Sequence, residues 1–105
     1  MSIELKHHHA FWRGKRVELT IGELKVLSAL VNNPGIDMSY HQLHGALHDK
    51  EFVVGYGEDG YRVNIRGYIK RIRKKFCDID PEFDEIKTYT GFGYHWAGEP
   101  SSVQN

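Results

Sequence analysis

Between Arg62 and Lys75 the chain places seven of its fourteen lysines and arginines and not one acid. Threaded through the same stretch, Ile65, Ile69, Ile72 and Phe76 recur at i, i+4, i+7 and i+11, the spacing of a single apolar stripe on an α-helix. The pattern predicts a helix that starts at Asp59 or Gly60 and runs to about Phe76 (60–76), with its isoleucines against a core. On a helical wheel Val63, Gly67, Lys70, Arg71 and Lys74 centre on the opposite side. Asn64 and Tyr68 flank one edge of that face, and Arg62, Arg66 and Arg73 the other. Five acids (Asp78, Asp80, Glu82, Asp84, Glu85) follow at once, so a chain of zero formal charge has a dipolar surface. Helices shaped for solubility alone mix signs through i,i+4 pairs; an unmixed cationic face suits a polyanion. Gly67 in mid-helix costs about 1 kcal/mol against alanine, which points to a close approach to the backbone there.

The rest of the chain frames this helix. Residues 3 to 19 read as short strands: Ile3 and Leu5 alternate with polar neighbours, Phe11 and Trp12 precede a turn at Arg13-Gly14-Lys15, and Val17 and Leu19 alternate again. His7-His8-His9 falls in the first turn, where divergent side chains make a poor metal site. Thr20 and Glu23 form a capping box ahead of Leu24, Leu27, Leu30 and Val31 at helical spacing, and Asn33 before Pro34 stops that helix. Residues 36–38 make a short extended link. Ser39 and Gln42 form a second capping box, opening a helix that buries Tyr40, Leu43 and Leu47. Residues 49–60 read as a loop. Glu85 to Tyr89, a turn at Thr90-Gly91-Phe92-Gly93, and Tyr94 to Trp96 read as a C-terminal β-hairpin, residues 85–96. Residues 98–105 read as a disordered tail after one domain spanning 1–97.

Several functions are excluded or disfavoured by what is present. A single cysteine, Cys77, allows no internal disulfide and no multi-thiolate metal site, and fits a reducing cytoplasm. No apolar run has the length of a membrane span, so no membrane partner is expected. His41, His44 and His48 lie near one helical face, but no carboxylate or thiol within the helix completes a ligand set. They read as a partly exposed polar face titrating near about pH 6.5 rather than as a metal site. The GYGEDG stretch follows a helix and lacks a GK[ST] ending, so it is no nucleotide cradle. No nucleophile–base pair or paired carboxylate is recognisable; neither enzymatic activity nor a cofactor is expected. RNA binding would need aromatic platforms on a sheet, whereas Phe11, Trp12 and Tyr89 read as core.

Strands, two helices, a basic helix and a hairpin make an α+β winged helix-turn-helix, in which the helix before the hairpin enters the major groove. Charge and periodicity orient that helix identically, provided that the isoleucines are buried and Arg71 is not consumed by an acid. The stretches LTIGELKVLSALVNNPG, SYHQLHGAL, VNIRGYIKRIRKKF and EIKTYTGFGYHW resemble, over Leu19 to Trp96, the effector domain of OmpR/PhoB-type response regulators. The hairpin and the GYGEDGYR loop look most like the ChvI branch.

This resemblance implies an N-terminal four-stranded platform, three helices and a C-terminal wing. It also implies a cytoplasmic, bacterial transcription regulator that meets the nucleoid when it binds double-stranded DNA at tandem half-sites as a head-to-tail dimer. A receiver domain phosphorylated by a histidine kinase is implied but absent from these residues, so the chain is expected to be an excised or a free-standing effector domain. In some members the loop corresponding to 49–58 contacts RNA polymerase. By position, the resemblance makes Arg71 a base-reading arginine and Lys70 and Arg73 backbone contacts; Tyr68 stands at a groove-facing position where histidine is common. Thr90 stands where many members carry a minor-groove arginine, although Thr88 and Thr90 retain hydroxyls for phosphate. Arg66 stands where many carry an acid. The interface expected from residues and resemblance together is Arg62, Asn64, Arg66, Gly67, Tyr68, Lys70, Arg71, Arg73, Lys74, Thr88 and Thr90. The competing expectation is a winged helix that binds an acidic protein partner through the same cations.

Overall fold

The computed structural model describes residues 3–48 and 58–99. Three short antiparallel strands open the fold: β1 (Glu4–Lys6), β2 (His9–Trp12) and β3 (Lys15–Val17), paired in that order. Both connections are two-residue turns with positive φ at each central residue, His7 and His8 in the first, Arg13 and Gly14 in the second. That backbone twist matches the twist of paired strands, and β2 carries Ala10 and Trp12 into the core on one face.

Among the described residues the platform has three strands, not the four that the family resemblance implies. Leu19 does not extend it, because Thr20 leaves the sheet to cap α1 (Ile21–Val31). The capping box forms in full: the Thr20 hydroxyl accepts from the Glu23 amide at 3.1 Å, and Glu23 accepts from the Thr20 amide at 2.9 Å. A two-residue strand, β4 (Met38–Ser39), lies in the expected link and joins the C-terminal hairpin instead. Ser39 and Gln42 make the second reciprocal box, at 3.0 and 2.8 Å, at the start of α2 (Tyr40–His48). Tyr40, Leu43 and Leu47 are buried as expected. His44 departs from expectation: it is buried against the Tyr61 ring at 5.6 Å, leaving His41 as the exposed member of the described pair.

The basic helix, α3 (Glu58–Ile79), is longer than the sequence pattern indicates at both ends. Glu58 to Gly60 belong to its first turn rather than to a loop, while the remainder of that expected loop, 49–57, lies outside the described residues. At the far end it continues to Ile79 and stops where Asp80 precedes Pro81, a position that disfavours helical backbone. Ile65, Ile69, Ile72 and Phe76 are all buried.

The hairpin, β5 (Ile86–Tyr89) and β6 (Gly93–Trp96), forms a second sheet of order β4-β6-β5. Gly93 is required there, because a Cβ would run into the Met38 carbonyl and the Ser39 Cα across the pair. Trp12 binds the two ends of the fold together. Its ring meets Phe76, Phe83 and Trp96 edge-on at 5.9, 5.3 and 6.2 Å, and its indole N–H donates to Asp80 at 2.9 Å. Tyr89 is not core as expected: it is exposed on the hairpin, with its ring 5.2 Å from Phe92. Most of the expected tail, 100–105, lies outside the described residues; Gly98 and Glu99 are placed, the Trp96 indole donating to the Glu99 carbonyl at 2.8 Å.

Candidate nucleic-acid interface

Helix α3 turns its isoleucine stripe inward and its cations outward. Lys70 and Lys74 are exposed, and Lys74 keeps only a loose i,i+4 contact to Asp78 at 3.6 Å, with both groups in water. Arg71 is 53% exposed. Its Nε lies 3.4 Å from Oε2 of Glu23, and its guanidinium sits over the Tyr68 ring at 4.7 Å. Arg71 is therefore steadied from beneath by a carboxylate and an aromatic face, but not enclosed by them.

Glu23 is the polar centre of this arrangement, and its sequence signal was limited to its capping role. It is 2% exposed and also accepts from Lys75 Nζ at 2.6 Å. Burial pushes its carboxyl up, but the hydrogen bonds from Lys75, Thr20 and Arg71 and the Lys75 charge more than compensate and hold it below the ordinary value. The glycines beside it explain the packing. A Cβ at Gly22 would lie 2.6 Å from the Tyr68 hydroxyl, so glycine lets Tyr68 lean onto α1. At Gly67 the close approach is made by Arg71 itself, whose Nη1 would sit 3.2 Å from a Cβ.

The other expected residues divide into two groups. Arg62 and Arg66 lean toward α2, with guanidinium carbons 5.6 and 6.0 Å from the centroid of the Tyr40 ring. Asn64 is half-buried on the edge shared with Tyr68. Arg73 is turned toward the hairpin: its Nη2 donates to the Ile86 carbonyl at 2.6 Å and to the Thr88 hydroxyl at 3.0 Å, and it stacks on Tyr94 at 5.6 Å. The amide of Tyr40 adds a bond to the Phe92 carbonyl at 3.0 Å. Thr90 is exposed in the hairpin turn. Of the expected residues, Lys70, Arg71 and Lys74 are exposed on α3, while Arg73 and Thr88 fasten the hairpin to α3.

Among the described residues no cluster of three or more His, Cys, Asp or Glu is placed to hold a metal, and no helix is long and apolar enough to cross a membrane.

Residues 14–96 match the family model described as "Transcriptional regulatory protein, C terminal". The transcriptional regulatory protein BaeR of Escherichia coli O6:H1 is 34% identical over 98 residues, covering 90% of this chain and 37% of BaeR. The chain therefore spans little more than a third of that curated relative. Among solved structures, the DNA-binding domain of the response regulator AdeR, in complex with an intercistronic region, matches with a TM-score of 0.73 at 18% identity. That match covers 94% of this chain and 97% of the AdeR domain. The Klebsiella pneumoniae RstA DNA-binding domain, in complex with the RstA box, matches with a TM-score of 0.70 at 24% identity, covering 92% of each. At these identities the structural likeness speaks for the fold.

Proposed function

The chain belongs to the family of transcriptional regulatory protein C-terminal domains, and from that premise we propose that it binds double-stranded DNA sequence-specifically and regulates transcription as a response-regulator effector domain. One observation carries the reading: α3 buries Ile65, Ile69 and Ile72 while presenting Lys70, Arg71 and Lys74 to solvent. A helix of that kind fits the major groove, about 12 Å wide, with its apolar side held by the domain. Arg71, steadied at Nε by Glu23 and with half of its side chain exposed, suits guanine O6 and N7, which a guanidinium fork takes together. Lys70 and Lys74 suit phosphates. Tyr68, Asn64, Arg62 and Arg66 border the groove face, and Thr90 at the hairpin turn supplies a hydroxyl for the backbone. Arg73 and Thr88 act chiefly by fixing the hairpin, a narrower role than direct phosphate contact.

The finer reading extends the family premise. The chain acts as a head-to-tail dimer on tandem half-sites in a bacterial cytoplasm, downstream of a receiver domain and a histidine kinase. RNA polymerase is met through residues 49–58, and the chain is a member of the ChvI branch, a reading supported by the likeness of the hairpin and GYGEDGYR residues. Its work is recognition rather than catalysis.

Selection of bound duplexes from a random pool tests this directly, with a direct repeat spaced near one helical turn as the expected product. On the recovered duplex, Arg71→Ala should cost about 1–3 kcal/mol and relax preference at one position. Lys74→Ala should weaken cognate and scrambled duplexes alike and lower the salt slope by about 1. The opposite pattern would overturn the groove assignment, and failure of duplex DNA to compete with an acidic protein would favour a protein-docking role.

A further inference from the structure

Val63 stands on the cationic side of α3 with 60% of its surface exposed. Single exposed apolar residues are ordinary, so exposure alone assigns it nothing; its position does. Val63, Gly67 and Arg71 follow at intervals of four, which places them on one line along the helix about 6 Å apart. Read from the N-terminal end, that line offers a branched apolar side chain, then a glycine over which the Arg71 guanidinium leans, its Nη1 3.2 Å from where a Cβ would stand. The cations nearest to Val63 lean aside, since Arg62 and Arg66 both approach the Tyr40 ring on α2. Val63 is also the sixth of the 22 residues of α3, in the N-terminal part that a recognition helix turns to base edges.

We propose that Val63 is a specificity-determining residue that reads the C5-methyl group of a thymine in the major groove. The inference rests on the DNA-binding reading above and deepens it. Among the base edges in that groove the thymine methyl is the apolar group. A valine that reaches it removes two hydrocarbon surfaces from water, whereas a base edge bearing only donors or acceptors would be left facing carbon. Val63 and Arg71 are separated by about 12 Å along the helix, so the thymine lies within about four base pairs of the base pair that Arg71 reads.

The experiment uses the whole 105-residue chain and a duplex recovered from the random pool, in which each thymine in turn is replaced by deoxyuridine, deleting only the methyl. The expected result is one position where the replacement weakens binding about three- to tenfold. At that position Val63→Ala should respond less than about twofold, while Arg71→Ala should keep the full methyl effect. Alanine at an exposed helical site favours the helix, so the variant folds. If every thymine behaves identically in the parent chain and in Val63→Ala, the assignment is wrong even though DNA binding stands. A pool that yields no bound duplex overturns the DNA-binding reading and this one with it.

Discussion

Glu23→Gln isolates the charge of the one buried acid in the described core. The substitution keeps an oxygen of the same reach for the Thr20 amide, and glutamine serves a capping box as glutamate does. What it removes is the charge-assisted bond to Lys75, 2.6 Å long, together with the weaker 3.4 Å contact to Arg71. A hydrogen bond to a charged group contributes about 1.5–3 kcal/mol when both partners are shielded. Lys75 and Arg71 keep 34% and 53% exposure, so each regains water once the carboxylate is gone, and the expected loss falls to about 1–2 kcal/mol. For a domain of this length that is a melting temperature lower by roughly 5–15 °C. The pH dependence supplies a sharper check. Because the folded carboxyl titrates below its ordinary value of 4.5, its stabilisation is complete above that value and is lost as pH falls through the lower folded one. Urea unfolding of both proteins at about pH 7 and about pH 3 should therefore show a gap that closes on acidification. A gap that is absent at neutral pH, or that persists unchanged in acid, would refute the reasoning.

Three further outcomes are expected. Arg73→Ala should cost about 1–2 kcal/mol through loss of the bonds to Ile86 and Thr88. Amide exchange across 86–89 should quicken by more than exchange in α1, and uniform protection would show that the hairpin holds without the clamp. Gly93→Ala should cost about 2–3 kcal/mol, because the new Cβ meets backbone of Met38 and Ser39 rather than a movable side chain; urea midpoints within about 0.5 kcal/mol of the parent would contradict it. Tyr94, pushed up to about 12 by burial and its Tyr40 hydrogen bond, should give a late phase, above the ordinary tyrosine range, when phenolate absorbance is followed. Since folding raises this group, its stabilisation is whole below about pH 10 and declines as pH climbs toward 12. Tyr94→Phe should flatten that decline.

Elements governed by local rules were legible from residue order alone. Both capping boxes, the two tight turns and the isoleucine stripe depend on contacts between near neighbours, and each formed where its pattern lay. The wheel also separated the outward cations from the two edges correctly, because a 3.6-residue period fixes side-chain direction. What stayed hidden depends on distant partners. Glu23 announces a cap; that it also seats Lys75 and Arg71, 52 and 48 residues away, depends on how α1 crosses α3. Arg73 looks like any other cation of its helix until β5 supplies the acceptors. Tyr89 is a different case: three residues from buried Ile86, it falls on the opposite face of β5 by strand alternation, and it is exposed there. The three-strand platform differs from expectation because Thr20 serves the helix in place of the sheet, a competition that strand alternation does not register.

The hairpin is fastened at three points: Arg73 to β5, the Tyr40 amide to the Phe92 carbonyl, and β4 zipped along β6. Its tip thus rides at a set height beside α3, like the second tooth of a gauge. Any surface that seats both teeth must already have that spacing or be bent to it, and the energy of bending becomes a way of distinguishing one surface from another without touching what differs.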